Sequence, residues 1–215
     1  MGTIERMWTL YPALRGNPHI VNGYPAAGSR KTARVPHPRH VCPRRCDCPK
    51  SVWRSLISAA GKDITLAGYT NYFLWLELPN LRGVLRRKAE SGCRVRFLLG
   101  DPDSDTTRNR EALENVPLTV STRIRITLDE LAKLGSMPGI EARYSDEHIA
   151  MSMFVFDEEM LVTTHLAHLV GHDSPMLHLQ RVQDGGLFDR YAYHVAELWR
   201  TGTPVTGLDA RQSPE

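Results

Sequence analysis

No stretch of this sequence is apolar for long enough to cross a membrane. The longest runs, Ile64–Gly68 and Val95–Gly100, fall far short of the ~20 residues a spanning helix needs. Met1–Leu14 also lacks the continuous apolar core of a secretory signal. These absences predict a cytoplasmic protein with no membrane partner. Cysteine is scarce, with four in 215 residues, three of them crowded as Cys42, Cys46 and Cys48. With His37 and His40 they form His-x2-His-x-Cys-x3-Cys-x-Cys, five candidate zinc ligands. Structural zinc takes a second ligand pair from a distant segment. That pair is missing here, and Pro43 and the Cys-x-Cys spacing suit a tetrahedral clamp poorly, so neither metal nor cofactor is expected. Cys93 sits in an apolar turn and reads as a small core residue. No internal repeat is visible, so any two-fold architecture requires a second chain.

What is present is ordinary in bulk: 41% hydrophobic and 24% charged, with length for one well-buried core and too little for two. The net charge of +3 is unevenly spread. Residues 1–50 carry nine basic side chains against Glu5 and Asp47, or +7, and the remaining 165 carry −4. A basic tail adds salt-sensitive, non-specific affinity for nucleic acid; the plainer reading is a solvated segment. The mildly acidic remainder is a poor nucleic-acid groove.

Residues 1–47 are rich in Pro, Gly and Arg and hold no sustained period of 2 or 3.6. Asn17-Pro18, Tyr24-Pro25 and Val35-Pro36-His37-Pro38 break any helix. They predict a disordered tail or a remnant, with Met7–Leu14 as one loose docking turn. A domain over residues 48–201 follows, then a frayed tail over 202–215. In the domain, Val52, Trp53, Leu56, Ile57 and Ala60 stripe a helix, Asp63–Tyr69 reads as a strand, and Pro79–Ser91 as a helix. Cys93–Gly100 is a second strand, in parallel with the first by the usual crossover. A helix is predicted over Ser121–Leu134. Strands follow at Ile140–Tyr144, Met151–Phe156, Met160–Thr164 and Met176–Val182, then a final helix with Leu187, Phe188, Tyr191, Val195, Leu198 and Trp199 on one face.

The most specific segment is Ala150-Met-Ser152-Met-Phe-Val-Phe-Asp157-Glu-Glu-Met-Leu-Val-Thr-Thr-His165. It resembles the motif strand pair of the phospholipase D superfamily, which carries His, Lys two residues on, and Asp five further. Aligned on Asp157, the His position holds Ala150 and the Lys position Ser152; the family's following Gly-Ser falls on Thr164 and His165. The His is needed as a nucleophile toward phosphorus, and the Lys to neutralise charge on the phosphate oxygens. Alanine and serine do neither. His148 lies two residues too early, a displacement of ~6–7 Å along a strand.

A wider resemblance is carried by Arg45-Cys-Asp-Cys-Pro49-Lys-Ser-Val-Trp53, Phe73-Leu with Leu78-Pro-Asn-Leu81, Gly92–Ser104, Phe156–Val162 and Ser174-Pro-Met-Leu-His178-Leu. Together they span about residues 41–200. The pattern is similar to an uncharacterised phospholipase-D-like effector domain found C-terminal to a helix-turn-helix in actinobacterial XRE-type transcriptional regulators. That family also lacks the superfamily His and Lys. The resemblance implies an α/β fold, a mixed sheet flanked by helices equivalent to one phospholipase-D-like half-unit, and a homodimer. No helix-turn-helix pattern occurs in residues 1–40, which leaves a truncated regulator, a stand-alone relative or a misplaced start codon. DNA contact is then expected only through a missing N-terminal part, or weakly through the basic tail. The family's Tyr-Asn-Ser run is replaced by Ala150-Met151-Ser152.

The resulting expectation is a non-catalytic ligand-sensing or dimerisation domain, with Ser152, Asp157 and His165 in one concave pocket. Asp101 and Asp103 end a strand where open α/β sheets bind ligands; the alternative is an Asp-Pro turn with Asp103 and Ser104 capping the next segment. His178 could line the same cleft if it shares a face with His165. His165, His168, His172 and His178 are otherwise strand and loop histidines. The ligand is a small molecule of unassigned identity, for which anionic chemistry is one option. The competing reading is a divergent phosphodiesterase using His148 or His165 as nucleophile with Asp157.

Overall fold

Alternating apolar residues in the segments rich in Val, Leu, Ile, Met and Phe pair into one sheet. The computed structural model describes residues 40–145, 147–166 and 169–206. The Met7–Leu14 patch, the basic tail up to residue 39, His37, His168 and residues 207–215 lie outside them. The strands are β1 (His40–Cys42), β2 (Asp63–Ala67), β3 (Arg94–Gly100), β4 (Ile140–Ser145), β5 (Met151–Phe156), β6 (Glu159–Thr164), β7 (Met176–Gln180) and β8 (Thr203–Pro204). They stand in the order β1-β7-β6-β5-β2-β3-β4-β8. The β2–β3 and β3–β4 pairs are parallel and the others antiparallel. The expected mixed sheet flanked by helices is therefore what forms.

Helices cover both faces. On one, α1 (Lys50–Ala59), α2 (Tyr72–Glu77), α3 (Leu81–Glu90) and α5 (Thr119–Ala132) bury Trp53, Leu74, Leu85 and Leu131 against Leu66, Phe97 and Phe154. Trp53 meets Phe73 and Phe154 edge-on at centroid distances of 5.2 and 5.0 Å, the geometry the ring quadrupoles favour. The other face is packed by α6 (Leu187–Thr201), which lays Phe188, Val195, Leu198 and Trp199 on Leu98, Met153 and Val162. Cys93 is fully buried in the core, as expected. Tyr193, two residues from Tyr191 and so off its face of the helix, is 68% exposed. No helix among the described residues is long and apolar enough to cross a membrane.

Two elements lie where the sequence pattern suggests tail or loop. His40–Cys42 pairs antiparallel with Met176–His178, and the turn after it is tied down by Arg45 N–H to Ser174 O (2.8 Å) and Cys46 N–H to His172 O (3.1 Å). The folded part thus begins by residue 40, not 48. Helix α4 (Asp105–Glu114) follows the Asp101–Ser104 turn. Its buried residues are Thr107, Arg110 and Glu111, so it shows no apolar stripe. At the other end, Thr203–Pro204, within the segment expected as a frayed tail, pairs with β4.

Candidate functional site

Antiparallel pairing of β5 with β2 sets the site. Ala67 faces Met153 across the ladder, so the start of β5 lies beside the carboxyl end of β2, where Tyr69, Thr70 and Asn71 leave the sheet. That end of a strand is the usual ligand position in open α/β sheets. Ala150 is exposed, and its carbonyl accepts the His165 N–H (3.0 Å). Across the same strand pair, Ser152 opposes Thr163, which makes His165 its diagonal neighbour. The Ser152 hydroxyl and His165 Nε2 are 3.0 Å apart. A partly open cavity of about 70 Å³ beside this pair is lined by Arg45, Asn71, Arg110 and Arg123, with Glu114 as the sole carboxylate of its lining.

Each part is held by an identifiable contact. Asn71 adopts the left-handed conformation (φ 47°), which asparagine tolerates better than most residues. Its amide donates to Leu66 O (2.9 Å), while Oδ1 is buried without a hydrogen-bond partner. Thr127 of α5 anchors Thr70 through its carbonyl (2.6 Å). A Cβ on Gly68 would fall 2.8 Å from both Asn71 Oδ1 and Ser152 Oγ, so only glycine lets these groups approach. The central carbon of the Arg45 guanidinium lies over the Phe73 ring, 3.7 Å from its centroid. Arg110 pairs with Glu114 at 2.5 Å, both nearly inaccessible.

Burial dominates the electrostatics. It pushes the Arg45 pKa down to about 10, with Arg123 adding to the effect and Glu77 opposing it. It pushes His165 down to about 3, helped by the Arg110 and Arg45 guanidiniums and by His148. His165 is thus a neutral imidazole at neutral pH, and its Nδ1 is buried with no partner. Nearby, Tyr69 accepts the Ile149 N–H (3.2 Å) and contacts His148 Nδ1 at 2.8 Å. His148 itself is exposed and outside the cavity lining.

The residues expected in one pocket separate into two places. Ser152 and His165 meet. Asp157 does not join them: it sits in the β5–β6 turn (φ 53°), five residues and roughly 17 Å along the strand from Ser152. Its carboxylate accepts three backbone N–H groups, from Gly61 (2.8 Å), Lys62 (2.9 Å) and Asp63 (2.8 Å). Burial alone would raise its pKa, but these three hydrogen bonds together hold it below the usual range. His178 shares a sheet face with His165 yet lies opposite Leu161, four residues nearer the turn. Its Nε2 meets Glu159 at 2.6 Å, and its ring stacks on His40 at 5.9 Å. Asp157 and His178 instead line a separate open groove of about 990 Å³.

Asp101 and Asp103 adopt the turn-and-cap alternative. Asp101 Oδ1 accepts the Asp103 N–H (2.9 Å), and Asp103 pairs with Arg125 (2.6 Å). Ser104 caps α4 by accepting the Thr107 N–H (3.1 Å). Neither aspartate lines the cavity. Around the cysteines, no group of three or more His, Cys, Asp or Glu among the described residues could hold a metal. Burial and the neighbouring Cys42 push the Cys48 thiol up to about 12, which makes it a poor thiolate ligand. The cavity residues that sequence reasoning missed are Arg45, Asn71, Arg110 and Arg123. Arg45 falls inside one of the resembling blocks but reads as tail from composition; Arg110 and Arg123 carry no local signal.

No known protein-family model matches the chain, and no curated protein matches it. Among solved structures it is similar to TrmBL2, an archaeal chromatin protein whose structure shows a novel mode of DNA binding. The identity is 15% and the TM-score 0.49, over 94% of this chain and 61% of that one. It is also similar to Nuc, a phospholipase D family member from Salmonella typhimurium (12% identity, TM-score 0.45, 74% and 91% covered). A third is phosphatidylserine synthase from Haemophilus influenzae Rd KW20 (12% identity, TM-score 0.47, 73% and 37% covered). The chain spans less than two thirds of the length of TrmBL2.

Proposed function

We propose that this chain is a non-catalytic, ligand-sensing domain of a cytoplasmic, homodimeric, helix-turn-helix transcriptional regulator of the XRE type. One observation carries the reading. Where a phosphodiesterase of the resembling superfamily needs an imidazole and an ammonium, this chain has exposed Ala150 and buried Ser152. Of the imidazoles nearby, His148 is exposed, held by Tyr69 and outside the cavity lining, and His165 is committed elsewhere. Its Nε2 is hydrogen-bonded to Ser152 and its Nδ1 is buried, so neither nitrogen is presented for attack on a substrate atom. The cavity is nonetheless small, recessed and polar, which suits binding without chemistry.

The test is turnover of bis(p-nitrophenyl) phosphate by the full chain, alongside thermal melting with candidate ligands. No turnover is expected above the rate of a His165→Asn, His148→Asn double variant. Turnover lost in that variant would replace the sensor by a divergent phosphodiesterase with a displaced histidine nucleophile.

A further inference from the structure

Resting on the sensor reading, we infer that the cavity beside Ser152 and His165 binds the head of a phosphomonoester or free inorganic phosphate, and discriminates against phosphodiesters. Three guanidiniums reach it from three separate elements: Arg45 from the turn after β1, Arg110 from α4 and Arg123 from α5. Glu114 in the lining pairs with Arg110, and Glu77 acts on Arg45 from outside it, so the arginines still outnumber the carboxylates. The mutual influence of the arginines is visible in Arg45, lowered further by Arg123, and in His165, lowered by both Arg110 and Arg45. Such crowding of like charge in a buried site costs stability, and a dianion would relieve it.

Shape adds to charge. The cavity volume is about 70 Å³, far below the ~300–1,000 Å³ of sites that enclose whole small molecules. Only a compact head enters, and any remainder of the ligand stays outside. Guanidinium forks match the oxygen pairs of a tetrahedral oxyanion, and three forks from different directions suit a group with three terminal oxygens. A carboxylate offers two in one plane. A phosphodiester carries one charge and a second substituent, and a cavity of about 70 Å³ with one substituent leaving through its mouth has no room for the other. Arg45 is pre-set by its stacking on Phe73 and Arg110 by Glu114, so little ordering is needed on binding.

Isothermal titration of the full chain with inorganic phosphate, glycerol 3-phosphate and dimethyl phosphate tests this. Inorganic phosphate or glycerol 3-phosphate is expected to bind, and the tighter of the two identifies the source of the head. Dimethyl phosphate should bind at least about tenfold more weakly. Arg45→Gln and Arg123→Gln should each weaken the phosphate by roughly tenfold or more. Arg123 is the safer variant, because it lies half-exposed on α5. No binding of either phosphate at millimolar concentration overturns the inference, as does equal binding of dimethyl phosphate or indifference to both arginine variants. Binding of an uncharged molecule that Arg45→Gln leaves intact also overturns it while sparing the sensor reading. That reading fails separately, through turnover of the diester.

Discussion

The β5–β6 hairpin has two ends, and they serve opposite purposes. At the turn end, Asp157 satisfies three backbone N–H groups of the segment Gly61–Asp63 and thereby locks β5 to the start of β2. Both oxygens of that carboxylate are used in holding the fold. At the open end, Ser152 and His165 face a cavity in which Asn71 Oδ1 and His165 Nδ1 are buried without hydrogen-bond partners. Buried polar groups are ordinarily satisfied; the Asp157 carboxylate follows that rule, whereas Asn71 Oδ1 and His165 Nδ1 at the cavity, and His178 Nδ1 on the groove side, do not. A single strand pair therefore places Asp157 and the Ser152–His165 pair at opposite ends.

The sharpest way to break this contrast is at the turn. Asp157→Ala strips three donors of a charged acceptor and should lower the unfolding free energy by about 3 kcal/mol, read by urea denaturation. Asp157→Asn, which keeps one acceptor oxygen and tolerates the left-handed backbone, should recover part of that. A loss below about 1 kcal/mol for the alanine would remove the clamp. At the open end, Gly68→Ala places a methyl 2.8 Å from Ser152 Oγ and Asn71 Oδ1. It is expected to cost about 2 kcal/mol by overpacking and to abolish ligand binding. An unchanged melting temperature would mean the close approach is not enforced.

Acid separates the two ends further. His165 is held near 3, below its usual 6.5. Above about 6.5 both folded and unfolded states are neutral there. Below it the unfolded chain takes up a proton that the fold refuses. Stability therefore falls as pH drops from 6.5 toward 3, by at most about 1.4 kcal/mol per pH unit. Asp157, lowered from 3.8, contributes fully above that value and loses its contribution as pH falls through its folded pKa. His165→Asn should flatten the stability profile between about pH 4 and 6.5, and Asp157→Asn only the portion below. A profile in the upper range that His165→Asn leaves unchanged would contradict the buried neutral imidazole. The smallest effect is that of Ser152→Ala, about 1 kcal/mol for one neutral hydrogen bond. A larger loss would give Ser152 a structural weight comparable to Asp157.

Much of the frame was legible from periodicity. The β5–β6 hairpin and the stripes of α1 and α6 stand where the pattern of apolar residues puts them, because each buries one face against the sheet. Three elements escaped for physical reasons. Strand β1 is three residues in a Pro- and Arg-rich stretch, and its partner β7 is distant in sequence. Helix α2 is apolar on all sides, Tyr72-Phe-Leu-Trp-Leu-Glu77, and so has no period to read. Helix α4 buries Arg110 and Glu111 where a helix normally buries leucine. Arg110 lies on α4 and Arg45 in the turn after β1, whereas Arg123 lies on the predicted helix α5, so the misses in the fold account for only part of those in the site.

The sequence by itself determined an α/β domain and the hairpin, because these depend on local period and on residue type. Only the tertiary structure decided what lines the cavity beside Ser152. Arg45, Arg110 and Arg123 come from a turn and two helices scattered along the chain, and their convergence depends on sheet order, not on spacing. It also decided that Asp157 and His165, separated by one hairpin's length, do not belong to the same site.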